Sequence, residues 1–441
     1  MGVNWEAVSA LRSRRRRGYL VYKADERSSM DLKTDVQAGS RTMKRYAAPI
    51  PFYSVAYTYV ISLRCTSFLR LYSGATMARL CIFCGEIPEG KNKEHVIPQW
   101  LIKATGDPSR QAVFETDFCL ANGRKRQFAF DQFTFPACES CNSAHSVLED
   151  KAKATLERIQ RGDDVNGEQF STFLDWLDKI RVGLWLGLQM LDKNPLEANP
   201  KFHIADRIGQ YDRGVIIRRS TSSKSKINMM GINSPSFFIM PSAFSLVIDD
   251  LYITNISTAF LCSRRCGFPY ITDQALAPDD AGNFVIHGEF KLGQERVMSP
   301  ILRRGLPSDA RAFFQPMFGD RLRSETNIYE NAYVRNHSIC FDRGIGNIFE
   351  QKSHRFVEHS SLDNFKAAPT GIFPDYQLFC SETISIYEWQ NWLYENSPPV
   401  SPLYKDEAEA HKKVGRLLRK QNRDWIQHTR GIMKKMGIEV V

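Results

Sequence analysis

After Asn142 the apolar residues recur at helical spacing. Val147, Leu148, Ala152, Leu156 and Ile159 predict one face of a helix ending near Gly162. A second helix is predicted over about 168–191, with Phe170, Phe173, Leu174, Leu177, Ile180, Leu184 and Leu188 on one broad face and Asn194-Pro195 as its stop. From about 200 to 300 the pattern becomes short apolar runs between Ser, Gly, Pro and Asn clusters. These predict strands at 214–218, 237–240, 244–248, 252–262 and 283–290. Residues 305–375 carry no clear period. Helical spacing returns at 384–394, a proline-rich break follows at 397–402, and a last helix is predicted over roughly 406–436. Upstream, residues 77–141 are rich in Cys, Gly, Pro and aromatics, which suits short strands and loops. No internal repeat is present. The expected class is α+β: a small strand-and-helix module, then helices, then a mixed α/β C-terminal region. Expected boundaries are a basic N-terminal extension at 1–76, a module at 77–163 and a C-terminal domain at 164–441.

Composition changes little in this picture until charge is located. The 441-residue chain is 43% hydrophobic and 24% charged, as in ordinary globular proteins. Its net charge of +10 points toward a polyanionic partner. However, residues 1–76 hold 13 Lys/Arg against 5 Asp/Glu, a net of +8, which leaves +2 for everything after them. The first 76 residues, including the run Arg14–Arg17, lack periodicity and are expected to lie, poorly ordered, outside the functional fold. Met77 opens a plausible alternative start. The longest uncharged run, 47–63, contains Pro49 and Pro51 and is only 17 residues long. A spanning helix needs about 20 apolar residues, so no membrane role and a cytoplasmic location are expected.

Four of the ten cysteines form two Cys-x-x-Cys pairs, Cys81/Cys84 and Cys138/Cys141, separated by 53 residues. Such pairs suit four thiolates in tetrahedral array around a structural zinc ion, a closed site that leaves no position for water. Cys262 and Cys266 have no comparable partners and read as core thiols. Between the pairs lies Glu94-His95-Val96-Ile97-Pro98, and Asn142 follows the last cysteine directly. A carboxylate and an amide oxygen suit a hard cation such as Mg²⁺ or Mn²⁺, and a neighbouring imidazole suits proton abstraction from water. Together these parts allow metal-assisted hydrolysis of a phosphodiester.

This segment, about residues 79–160 and under a fifth of the chain, resembles the zinc-finger-stabilised HNH endonucleases of the ββα-metal group. Their pattern is Cys-x-x-Cys, then Asp/Glu-His-x-x-Pro, then Cys-x-x-Cys followed by Asn or His opening a helix. The resemblance implies that Cys81, Cys84, Cys138 and Cys141 bind structural zinc. It implies that His95, on the second strand of a hairpin, is the general base, and that Glu94 and Asn142 hold the catalytic Mg²⁺ or Mn²⁺. His145 and Glu149 follow Asn142 by three and seven residues on the same helical face, which makes His145 a further candidate for metal or phosphate contact. The chain departs from the family where Glu94 stands in place of the more frequent Asp. The family's middle Asn has only Asn122 as a nearby counterpart.

The expected substrate is DNA, with RNA left open and oligomeric state unassigned. Lys91, Lys93, Lys103, Arg110, Arg124, Lys125 and Arg126 lie between the knuckles and could meet phosphate, Arg124-Lys125-Arg126 being the best group. Residues 405–441, with 10 basic and 5 acidic side chains, are a second candidate surface. A zinc-stabilised nucleic-acid-binding protein without catalysis is the alternative, and a Cys-x-x-Cys redox protein a third reading. A binding knuckle needs none of Glu94, His95 and Asn142, so their joint presence favours the endonuclease. A single HNH module beside a large partner domain also resembles restriction or phage-defence nucleases.

Overall fold

The computed structural model describes residues 80–90, 92–114, 126–191, 212–222, 224–258, 270–278, 284–291, 310–316, 322–324, 346–352, 355–396 and 405–438. The expected extension at 1–76 lies outside them, as do Lys91, Asn122, Arg124, Lys125, Cys262 and Cys266. Arg126 is described only as strand backbone.

The elements run β1 (Lys93–His95), α1 (Gln99–Ala104), β2 (Gln111–Phe114), β3 (Arg126–Ala129), β4 (Thr134–Pro136), α2 (Glu139–Arg161), β5 (Asp164–Asn166) and α3 (Gly167–Leu191). Then come β6 (Arg213–Arg219), β7 (Ile227–Met230), α4 (Pro235–Ile239), β8 (Ala243–Ile248), β9 (Leu251–Ser257), β10 (Tyr270–Pro278) and β11 (Phe284–Lys291). The chain continues through β12 (Arg311–Gln315), β13 (Leu322–Ser324), β14 (Ile348–Lys352), β15 (Arg355–His359), β16 (Asn364–Lys366), α5 (Asp375–Asn396) and α6 (Lys405–Lys435). Helices and largely antiparallel sheets make the class α+β. A seven-stranded sheet in the order β15-β14-β12-β6-β9-β8-β7 dominates the C-terminal half, and β1–β4, β2–β3 and β5–β16 are two-stranded pairs.

Helix α2 ends where the sequence placed its stop: Gly162 closes it in the left-handed conformation at φ 74°. Its predicted apolar face holds for Ala152, Leu156 and Ile159, whereas Val147 is exposed. The expected strand at 237–240 is instead the short helix α4. Ser234 Oγ accepts from the Phe237 N–H at 3.0 Å, and Pro235 sits at the first helical position, where its missing N–H costs nothing. The unassigned stretch 305–375 supplies β12 to β16 among the described residues. No helix among the described residues is long and apolar enough to cross a membrane.

Helix α3 is the spine of the molecule. It is buried all round from Phe173 to Gln189 rather than on one face. One hydrophobic core takes side chains from Cys81 through Ala368, so the residues on both sides of position 163 share it. Lys179, Gly183 and Gly187 follow one another at four-residue spacing along α3 and face the β1–β4 pair. A Cβ at Gly183 would sit 3.1 Å from Val96 Cγ1, and one at Gly187 would run into Phe133 Cζ and press on Phe135. Two missing side chains thus let the strand pair lie directly on α3. Gly187→Leu is expected to cost about 1–3 kcal/mol by overpacking, measured as a lower denaturation midpoint with unchanged slope.

Candidate functional site

The first knuckle is a tight turn. The Cys81 carbonyl accepts from Gly85 N–H at 2.9 Å, and Gly85 adopts φ 73°, a left-handed position that suits glycine. The second knuckle opens α2: Cys138 is the residue before its first turn, Cys141 lies in that turn, and Asn142 N–H donates to Cys138 O at 2.9 Å. The Cys138 N–H donates to Cys81 Sγ at 3.3 Å, and the Cys84 and Cys138 sulfurs are 3.6 Å apart. All four sulfurs lie within 4.8 Å of one another, close enough to bind a metal such as zinc.

The protonation balance fits a cation there. Burial raises the Cys81 thiol, but N–H donors from Cys84, Cys138 and Phe83 outweigh it and bring it below its ordinary value. Cys138 and Cys141 are pushed up to about 12 and about 11, by burial and then by the neighbouring sulfurs. Four thiolates cannot coexist in so small a volume unless a dication neutralises them.

The knuckle turn carries Phe83 into the core, and His145 of α2 stacks flat on it with ring centroids 3.9 Å apart. Burial, and then the Lys179 ammonium, hold His145 down to about 4, so it is neutral at pH 7. The structure thus binds this imidazole face-on to an aromatic ring rather than leaving it exposed on the helix.

Glu94 and His95 form the second half of β1, which pairs antiparallel with β4 in the register Glu94↔Phe135 and His95↔Thr134. His95 therefore sits on the first strand of its pair, not the second. Its partner strand follows only after α1, β2 and β3, because the inserted residues build their own small structure. Strand alternation sends neighbours to opposite faces. Glu94 turns inward and is buried, while His95 is half-buried. The His95 ring bonds to the Asp131 backbone and feels the Glu149 and Asp131 carboxylates, yet burial dominates and holds it below its ordinary value. A backbone carbonyl on one ring nitrogen sets the tautomer and leaves the other nitrogen as an acceptor. Asp131 Oδ1 is itself buried without a hydrogen-bond partner among the described residues.

Lys179 is the site residue that sequence reasoning missed. Its ammonium, 3% exposed, bonds Glu94 Oε1 at 2.5 Å and also Glu149 Oε1. The strand carboxylate and the helix carboxylate thus meet on one cation. Burial raises the pKa of both above the usual range, although Lys179 opposes it. The sequence shows one broad apolar face on this helix and carries no sign of it; only the burial of α3 on every side requires the lysine to be paired. Asn142 is half-buried on the same face of α2, two turns or about 10.5 Å before Glu149 along the axis.

Of the cations expected to meet phosphate, Arg110 is committed elsewhere. It donates to Ile102 O at 3.1 Å, Asp107 O at 2.7 Å and Thr105 Oγ1 at 2.8 Å, and lies over the Phe130 ring. Lys93 and Lys103 are exposed. On α6 the buried face is Leu418, Asn422, Ile426, Thr429 and Met433, and the exposed side carries Lys413, Arg416, Lys420, Arg423 and Lys434. Compared with known proteins, the chain matches no family model, no curated protein and no solved structure.

Proposed function

We propose that the chain is a metal-dependent endonuclease of the HNH kind that hydrolyses phosphodiester bonds in DNA, serving in restriction or phage defence. The observation that carries this reading is His95. A half-buried imidazole, tautomer set by the Asp131 backbone and held below its ordinary pKa, stands at a strand end beside the half-buried Glu149 and Asp131 carboxylates. The four-cysteine cluster lies where α2 begins, directly after β4, an order in which the pair β1–β4 and α2 would serve as the strand, strand and helix of a ββα-metal module. A noncatalytic knuckle has no use for a half-buried carboxylate next to an imidazole.

The donor set suits a divalent ion: Glu94 and Glu149 offer two carboxylates against a single ammonium. Glu94 and Asn142 would hold Mg²⁺ or Mn²⁺, and the bound ion would supply charge neutralisation at the phosphate and leaving oxygen. The free nitrogen of His95 takes a proton from the attacking water. The Asp131 backbone and the Glu149 charge stabilise the imidazolium that results. The cysteines take no part in the reaction. They fasten the start of α2 to the strand pair and so set where Asn142 and Glu149 stand.

The test is nicking of supercoiled plasmid by zinc-loaded protein with Mg²⁺ or Mn²⁺ across pH. A base must be deprotonated to act, and burial lowers the His95 pKa, so its active form persists below the ordinary histidine value. The rate is expected to rise about tenfold per pH unit at acid pH and to level off below about pH 6.5. Protein that binds plasmid yet leaves it intact with every divalent ion and at every pH overturns the reading.

A further inference from the structure

The residue that closes the Glu94–Glu149 pair is not a ligand but a cation of the chain itself. Lys179 reaches the pair from α3, a helix outside the segment that resembles the HNH module. The position is built. Gly183 and Gly187, one and two turns further along, bring α3 against the strand pair, and Val96, Phe133 and Phe135 occupy the space their side chains would take. The ammonium also lies 5.6 Å from the centroid of Phe83, the ring inside the first knuckle. An ammonium between two carboxylates stands where an oxygen-liganded cation would stand, and both cannot hold the same oxygens.

We infer that Lys179 is a resident counter-cation that competes with the divalent ion for Glu94 and Glu149, so that the site loads metal only as the lysine withdraws. This rests on the nuclease reading and adds two claims to it: Glu149 is part of the metal environment, and α3 controls its occupancy. The chemistry is suited to exchange. A lysine is a point charge on a flexible four-carbon stem, without the fixed fork of an arginine. While it stays, the two carboxylates are partly neutralised.

Two measurements on the zinc-loaded full chain test the inference, and neither reads cleavage. In the wild type, acetylation of Lys179 by an amine-selective reagent is followed by mass spectrometry with and without saturating Mn²⁺. Labelling is expected to rise when Mn²⁺ binds, because the ammonium leaves its two carboxylates. In parallel, Mn²⁺ affinity is measured by electron paramagnetic resonance for wild type, Lys179→Met and Glu149→Gln. Removing a charge this close to the ion is expected to tighten Mn²⁺ binding by at least about tenfold in Lys179→Met. Mn²⁺ should then also raise the melting temperature of that variant more than that of the wild type. Glu149→Gln should weaken Mn²⁺ binding. The inference is overturned if Mn²⁺ binds the wild type and Lys179 labelling does not change, or if Lys179→Met binds Mn²⁺ no more tightly. The labelling result stands even where Lys179→Met does not fold. A wild type that binds Mn²⁺ and nicks plasmid while failing these measurements sinks this inference alone. A chain that binds no Mn²⁺ in any form and never nicks plasmid sinks the nuclease reading with it.

Discussion

His95→Ala is expected to lower metal-dependent plasmid nicking by about 10²–10⁴-fold, the usual contribution of a positioned general base. The change should leave folding nearly intact, since His95 is half-buried and its ring bonds to the Asp131 backbone rather than to a core side chain among the described residues. Mn²⁺ affinity should also be little altered. The competing imidazole is His145. It is neutral and close to Lys179, but its ring face is committed to Phe83, which is 1% exposed. A base needs a free nitrogen aimed at water as well as the right protonation state. His145→Gln is therefore expected to cost less than about tenfold in rate, with whatever loss occurs traceable to the packing of Phe83. The comparison is single-turnover cleavage of a labelled duplex by the three proteins at equal occupancy of DNA. Normal cleavage by His95→Ala ends its assignment as the base. A collapse in His145→Gln alone, with wild-type melting behaviour, would transfer the role to that residue.

Much of this arrangement is legible in the chain, and the failures have physical causes. The two Cys-x-x-Cys pairs predicted a four-thiol cluster, and the four sulfurs do converge. Here the spacing itself dictates geometry, because each turn can present its two sulfurs to one point. Periodicity also located α2 and α3, long helices whose apolar positions repeat many times. It failed at 237–240, where four apolar residues suit a strand or a buried helix equally. The decision lay in the Ser234-Pro235 cap just upstream. It placed Val147 inside because a helical stripe has ragged edges, and only the neighbouring elements decide which edge is covered. It left 305–375 unread although β14 and β15 form a hairpin there, because β12 takes its partners from β6 and β14, far away in sequence.

The acidic pair shows a deeper limit. Nothing local links Glu94 to Glu149, or either to Lys179, which lies 85 residues beyond Glu94. What joins them is the approach of α3 to the strand pair, and that approach depends on two glycines which, read alone, only weaken a helix. The same helix carries Asp175, Asp178 and Arg181, all buried. Arg181 bonds Asn255 of β9, and Arg213 of β6 bonds both aspartates. One side of α3 is thus tied by charge to the large sheet while another holds the candidate active site. The C-terminal half is thereby mechanically connected to the site, although the two appear in sequence as separate regions.

Loss of the four-cysteine cluster is the second large expected effect. Cys138→Ser removes one of four thiolates at the point where α2 begins, together with the sulfur that neighbours Cys84. Zinc bound by four thiolates contributes about 10–16 kcal/mol of binding free energy in small modules, which is folding free energy where no site exists in the unfolded chain. The strands it fastens are short: β1 and β4 have three residues each, too few to be stable as an isolated pair. Zinc content measured by atomic spectroscopy should fall from one per chain to a small fraction. Hydrogen exchange in β1, β4 and the first turns of α2 should approach unprotected rates, and nicking should fall by more than about 10²-fold although no cysteine touches substrate. The distal part of α3 and the seven-stranded sheet should keep their protection, because Arg213, Asp175 and Asp178 hold them together independently of the cysteines. A zinc-free variant with native exchange rates in β1 and full nicking would mean that the sulfurs merely pack. Uniform unfolding of both halves would mean that the shared core around α3, rather than the buried ion pairs, carries the stability of the sheet.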